Sequence, residues 1–218
     1  MTFTEQWITN IGDGLCRTGI YDDVIAGTGS CLIQTFAENK VHTAIPTTPL
    51  PHGLTSARYR FLVNIKAGTG TGSATYLRAG LCFMCSAQNM LTGLNNFYYT
   101  GVRLNPDTGG SHFIYLRKVT GETLYSTGTL VGGPVVAGET GFNKPYAMEV
   151  LWAVNGSGVE IKIKRGFELD FTDLEPIISV VDTSGHIVTT NEMFFVRSEI
   201  GVTSATVLFD NLEVSLSL

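Results

Sequence analysis

The side chains best suited to recognition chemistry in this chain are arginines and tyrosines spaced two residues apart. Alternation through TYLRAG, NFYYTGVRLN and HFIYLRK sets Tyr76, Arg78 and Gly80 on one strand face, Tyr99, Gly101 and Arg103 on another, and Tyr115 with Arg117 on a third. Aromatic planes pack against the apolar face of a ligand ring, and charged or amide groups bind its polar substituents. Arg78, Tyr99, Arg103, Tyr115, Arg117 and Glu149, if they share one sheet face, would therefore line a groove. Their polar atoms cannot all be buried without partners. The alternative is a set of ordinary outward-facing side chains held in salt bridges. Trp152 reads as core, because Met148, Val150 and Val154 share its face.

A second set is acidic: Glu168, Asp170 and Asp173 in ELDFTD. Read as a strand, Glu168 to Thr172 aligns Glu168 with Asp170, whereas Asp173, just before Leu174-Glu175-Pro176, suits a turn. Other catalytic arrangements are weaker. His42, His52, His112 and His186 lie in separate segments with no paired zinc spacing, and no Gly-x-Ser-x-Gly elbow occurs. The glycine-rich AGTGTGS at Ala67 to Ser73 lacks a phosphate loop's Gly-Lys-Ser/Thr ending and precedes a strand, so it reads as a hairpin loop.

The elements that must position these groups are strands. Charged residues are only 15% of the 218, and 25 glycines with many threonines suit short strands and tight turns rather than amphipathic helices. A net charge of -5 without a basic stripe argues against nucleic acid as a partner, and no run approaches the roughly 20 apolar residues of a bilayer span. The opening MTFTEQWITNIGDG has neither the basic start nor the apolar core of a secretion signal, which predicts a chain made in the cytosol or a mature fragment. Of the four cysteines, Cys82 and Cys85 are three apart in a strand and so fall on opposite faces, which predicts buried free thiols. A Cys16–Cys31 bridge stays open.

Strands are expected at Cys31 to Phe36, Ala57 to Lys66, Thr75 to Ser86, Phe97 to Leu104, His112 to Val119 and Glu122 to Ser126. Further ones are expected at Tyr146 to Val154, Gly158 to Lys164, Glu168 to Thr172, Ile177 to Asp182, Glu192 to Gly201 and Ala205 to Leu218. The last begins wholly apolar and then alternates, which predicts burial on both faces and later on one. About a dozen strands suit two packed sheets of about six each, in a single domain over 1–218. Residues 1–55, with Pro46, Pro49 and Pro51 in a surface link, read as a less regular N-terminal arm or edge region.

Four stretches carry a resemblance: YLRAGLCF; FYYTGVRLN with HFIYLRKVTGETL; YAMEVLWAVNGSGVEIKIKRGFELDFTD; and EIGVTSATVLFDNLEVS. Together they resemble the concanavalin A-like lectin and glucanase fold in its laminin G-like forms. The fold class implied is all-β, a two-sheet antiparallel jelly-roll sandwich. On such a fold a concave sheet holds glycan, which would make the arginine and tyrosine set a carbohydrate groove. ELDFTD is similar to the Glu-x-Asp-x-x-Glu signature of retaining β-glucanases, whose paired carboxyls stand roughly 5–5.5 Å apart, although Asp173 replaces the final Glu. No cofactor is expected: Asp210 and Asn211 read as a pair that satisfies backbone groups in a bend, and the resemblance offers them as calcium ligands only as the alternative. Few lysines and abundant Thr and Gly are similar to lectin-like domains of bacteriophage capsids and tails. The leading expectation is therefore a non-catalytic virion surface module, partnered by other virion subunits or by copies of itself. A carbohydrate-binding module and a glycoside hydrolase are the alternatives.

Overall fold

The computed structural model describes residues 7–10, 15–20, 25, 30–37, 40–46, 50, 53–66, 77–85, 95–104, 112–122, 128–136, 142–187, 193–200 and 204–217. Every regular element among them is a strand. They are β1 (Trp7–Asn10), β2 (Leu15–Ile20), β3 (Ser30–Ala37), β4 (Lys40–Pro46), β5 (Ser56–Lys66), β6 (Leu77–Cys85) and β7 (Asn95–Leu104). There follow β8 (Phe113–Glu122), β9 (Thr129–Val136), β10 (Tyr146–Asn155), β11 (Gly158–Gly166), β12 (Glu175–Asp182), β13 (Met193–Ile200) and β14 (Ser204–Ser217). They form two seven-stranded antiparallel sheets: sheet I in the order β1-β4-β13-β6-β7-β8-β9 and sheet II in the order β12-β11-β10-β5-β14-β3-β2.

Alternation explains why these segments pack. Tyr59, Phe61, Val63 and Ile65 of β5 are buried and face the core, as are Leu77, Ala79, Leu81 and Phe83 of β6. Tyr59 and Phe83 meet between the sheets at 6.3 Å, and Phe83 stacks on Tyr98 at 5.7 Å. Met148, Val150 and Trp152 fill the same layer. β14 lies between β5 and β3, buried from Val207 to Asp210 and alternately exposed after Asn211.

A polar clamp joins the sheets. The Asp182 carboxylate, at the end of β12, accepts hydrogen bonds from Tyr98 Oη and Lys118 Nζ, both at 2.7 Å. Lys118 also donates to Ser184 O at 2.6 Å, and the Ser184 and Ile187 N–H groups donate to Asp182 Oδ1 and Tyr98 Oη. Burial pushes the Tyr98 hydroxyl up, and the Asp182 carboxylate adds to it, so the phenol stays a donor. Burial also pushes the Asp182 carboxyl up, but the bonds from Lys118 and Tyr98 outweigh it and hold it below its ordinary value.

Several expectations change. Residues 7–46 supply two strands to one end of each sheet, β1 and β4 to sheet I and β2 and β3 to sheet II, and the described strands number 14 rather than about a dozen. β9 was not expected, because Gly132-Gly133-Pro134 reads as a break. An end strand tolerates a proline that cannot donate, and a Cβ at Gly132 would meet Ile178 Cγ2 at 2.8 Å, so glycine lets β9 close on β12. Residues 168–172 form turns rather than a strand. Cys82 and Cys85 are free and buried, yet they join one cluster rather than opposite faces. Three steps of β6 from Cys82 to Cys85 oppose two of β13 from Phe195 to Met193, and Met84 takes φ 54°. Cys16 pairs with Gln34 and Cys31 with Gly19, about 10 Å apart along the ladder and out of disulfide reach. Tyr76, the Ala67 to Ser73 loop, and the side chains of His42 and His52 lie outside what is described.

Replacing Asp182 with Ala should cost about 3 kcal/mol at pH 7, since it strands Lys118 and Tyr98 in a largely buried site. The depressed carboxyl contributes stability that is complete above its unfolded value near 3.9 and lost as pH falls through the lower folded value. Urea titrations should therefore show the gap between wild type and variant narrowing below about pH 4.

Candidate functional site

Five of the six groove residues come together on the outer face of sheet I. Pairing sets Arg78 opposite Arg103, Gly80 opposite Gly101 and Cys82 opposite Tyr99 between β6 and β7. Between β7 and β8 it sets Arg103 opposite Phe113, Gly101 opposite Tyr115 and Tyr99 opposite Arg117. Directly opposed residues share a face, so these strands lay down rows of arginine, glycine and tyrosine. The glycine pair is required. A Cβ at Gly80 would run into the Thr100 carbonyl oxygen, and one at Gly101 into that of Ala79.

The tyrosines form a floor beneath the arginines rather than a surface. Tyr99 is 1% exposed and Tyr115 4%, and their rings meet edge to face at 5.5 Å in a cluster with Cys82, Cys85, Phe97 and Val119. Burial pushes the Cys85 thiol up, and neighbouring Cys82 adds to it. Arg78 and Arg117 place their guanidinium carbons 5.9 and 5.5 Å from the Tyr115 ring centre, and Arg117 also donates to Gly128 O at 3.1 Å. A pocket of about 130 Å³ opens here, lined by Arg78, Arg103, Arg117 and Tyr115, with Phe113, Leu130 and Pro134 as its apolar wall. That wall was missed in the sequence because two of its members sit on β9. The alternation of Phe113 with Tyr115 was the only available pointer to the third.

Glu149 is elsewhere, on the outer face of sheet II. It is 1% exposed and accepts from Arg60 Nε at 2.6 Å and Lys164 Nζ at 2.7 Å. Burial pushes its carboxyl up, but the bonds from Lys164 and Arg60 outweigh that and hold it below its usual range. Arg60 also lies over the Phe171 ring at 5.7 Å, and Phe171 covers Leu62 and Ala147. Glu149 thus anchors the 167–174 segment. Further along the same face a wider cleft, about 430 Å³, lies between Arg58, Leu151, Ala153 and Lys162.

The acidic triplet shapes that segment. Asp173 accepts from the N–H groups of Phe167 at 2.7 Å and Glu168 at 3.0 Å. Asp170 accepts from Thr172 N at 3.1 Å and Oγ1 at 2.6 Å, and these bonds hold its carboxyl below its ordinary value. Glu168 is exposed in the turn and does not align with Asp170 on a strand. Asp210 and Asn211 shape a bulge: three steps of β14 from Asp210 to Glu213 oppose two of β5, with Asn211 at φ 48°. Asp210 accepts from Ile25 N at 3.0 Å and Asn211 N at 2.8 Å. Among the described residues no three His, Cys, Asp or Glu side chains gather as a ligand set.

The fold is a concanavalin A-like jelly-roll, the class to which several solved lectins belong. The VIP36 exoplasmic/lumenal domain in its Ca2+/Man3GlcNAc-bound form superposes with a TM-score of 0.58 at 11% identity, covering 97% of this chain and 84% of that one. Peanut lectin superposes at 0.53 and 9% identity, covering 98% and 99%. The alginate lyase vAL-1 from Chlorella virus superposes at 0.52 and 10% identity, covering 96% and 91%. No protein-family model and no curated protein matches the sequence.

Asp173→Ala should lower stability by about 1 kcal/mol by releasing two N–H groups, while Glu168→Gln should stay within about 0.5 kcal/mol of wild type. Urea melts of the two proteins measure the contrast.

Proposed function

We propose that this chain is a non-catalytic, lectin-like module that binds glycan on the outer face of sheet I. The observation that carries the reading is the convergence of Arg78, Arg103 and Arg117 beside an apolar wall of Phe113, Leu130 and Pro134 in one pocket. Guanidinium forks bind the oxygens of a sugar, and the wall takes its apolar face. The lectin-type neighbours support it, one of them solved with Man3GlcNAc bound. The non-catalytic part is supported by the turn-forming work of Asp170 and Asp173. The lyase on the same fold supplies the contrary case to test.

A second reading concerns where the module works. We propose a bacteriophage surface, with other virion subunits or copies of the chain as partners. Its partner part draws on two exposed valines on the end strands β9 and β12, Val136 at 61% and Val181 at 53%, where a neighbour could pack.

On a glycan array the protein should bind a restricted set of glycans, and Arg103→Ala should weaken binding by about tenfold while Lys162→Ala on the opposite sheet changes nothing. Silence across the array would remove the glycan reading. Product release from alginate or a β-glucan panel would remove the non-catalytic one. Mass spectrometry of purified particles that lack the chain would remove the virion setting.

A further inference from the structure

We infer that the glycan taken by this face is acidic, its carboxylate or sulfate held by the guanidinium groups of Arg78, Arg103 and Arg117. This rests on the glycan reading above and narrows it. The chain as a whole is acidic, at -5, yet three of its 14 Lys and Arg residues line one small pocket. The pairing register sets Arg197 of β13 opposite Gly80 and Glu199 opposite Arg78.

The arginines are also positioned before any ligand arrives. Tyr115 lies between Arg78 and Arg117, Arg117 is tied to Gly128 O, and Arg78 is 7% exposed. Held guanidinium forks lose little freedom on binding, and their planar donor geometry matches carboxylate and sulfate oxygens better than neutral hydroxyls. Size agrees. A volume of about 130 Å³ equals about four waters, room for a charged substituent and the ring edge that bears it. The rest of the oligosaccharide would run along Phe113, Leu130 and Pro134.

The test is calorimetric titration with three oligosaccharides of equal length: a neutral glucan, a polyuronate and a sulfated glycan. Each is run at about 50 and about 500 mM sodium chloride. The acidic ligands should bind about tenfold tighter than the neutral one and weaken with salt, and Arg103→Gln should remove that advantage while Lys162→Gln retains it. The uronate and sulfate arms tell which anion is taken. Should Arg103→Gln fail to fold by thermal melting, competition of the bound acidic ligand by free glucuronate or inorganic sulfate on the wild-type protein gives the same answer. Equal, salt-insensitive affinity for neutral and acidic ligands overturns the acidic inference and leaves the glycan reading intact. No binding in any arm overturns both.

Discussion

Tyr59 of β5 and Phe83 of β6 meet where the two sheets face each other, 6.3 Å apart, and the rest of the molecule depends on that layer of apolar contact. Each large side chain taken from water there stabilises the fold by about 1.5–3 kcal/mol, and a sheet can hide only the face it turns inward. The outer faces are therefore left free to differ. The clamp of Asp182 with Tyr98 and Lys118 adds direction to an otherwise undirected contact, because a buried carboxylate tolerates few alternative positions of its donors. It fixes β7 and β8, two of the strands that carry the pocket, against the end strand of sheet II.

The two outer faces have taken opposite courses. On sheet II, Glu149 bridges Arg60 and Lys164, Glu213 stands 3.9 Å from Arg60, and the 167–174 segment lays Phe171 over Leu62 and Ala147. That charge is absorbed into the structure. On sheet I, the facing glycines Gly80 and Gly101 remove side chains from the middle row, the tyrosines sink to a floor, and arginines remain at the rim of a recess. The same strand geometry thus ties Glu149 into ion pairs on one side and sets three arginines around a small pocket on the other. The solved structures that superpose share the sandwich at 9–11% identity, so what the recess recognises has to be argued from this chain's own side chains.

Period-two alternation made much of this legible in the sequence. It placed Tyr59, Phe61, Val63 and Ile65 inward and put Arg78, Arg103, Tyr115 and Arg117 on faces that the sheet then joined. It failed wherever the backbone added a step. The bulge at Met84 turns Cys85 to the side of Cys82, and spacing alone cannot register an extra residue opposite β13. Gly132-Gly133-Pro134 concealed β9 because glycine and proline signal a break unless the strand is known to lie at a sheet's end. Glu168 and Asp170 looked like one strand face, but hydrogen bonds from Thr172 and to Asp173 fold that stretch into turns.

What the residues by themselves determined is which side each strand turns inward, because side-chain direction along a strand is a local property of the pleat. Which strands lie beside which, and so whether Glu149 joins the arginines or stands behind them on the other sheet, was decided only by the tertiary arrangement. Strand order is set by contacts between segments far apart in the chain, and no local pattern of residues encodes a neighbour more than a hundred positions away.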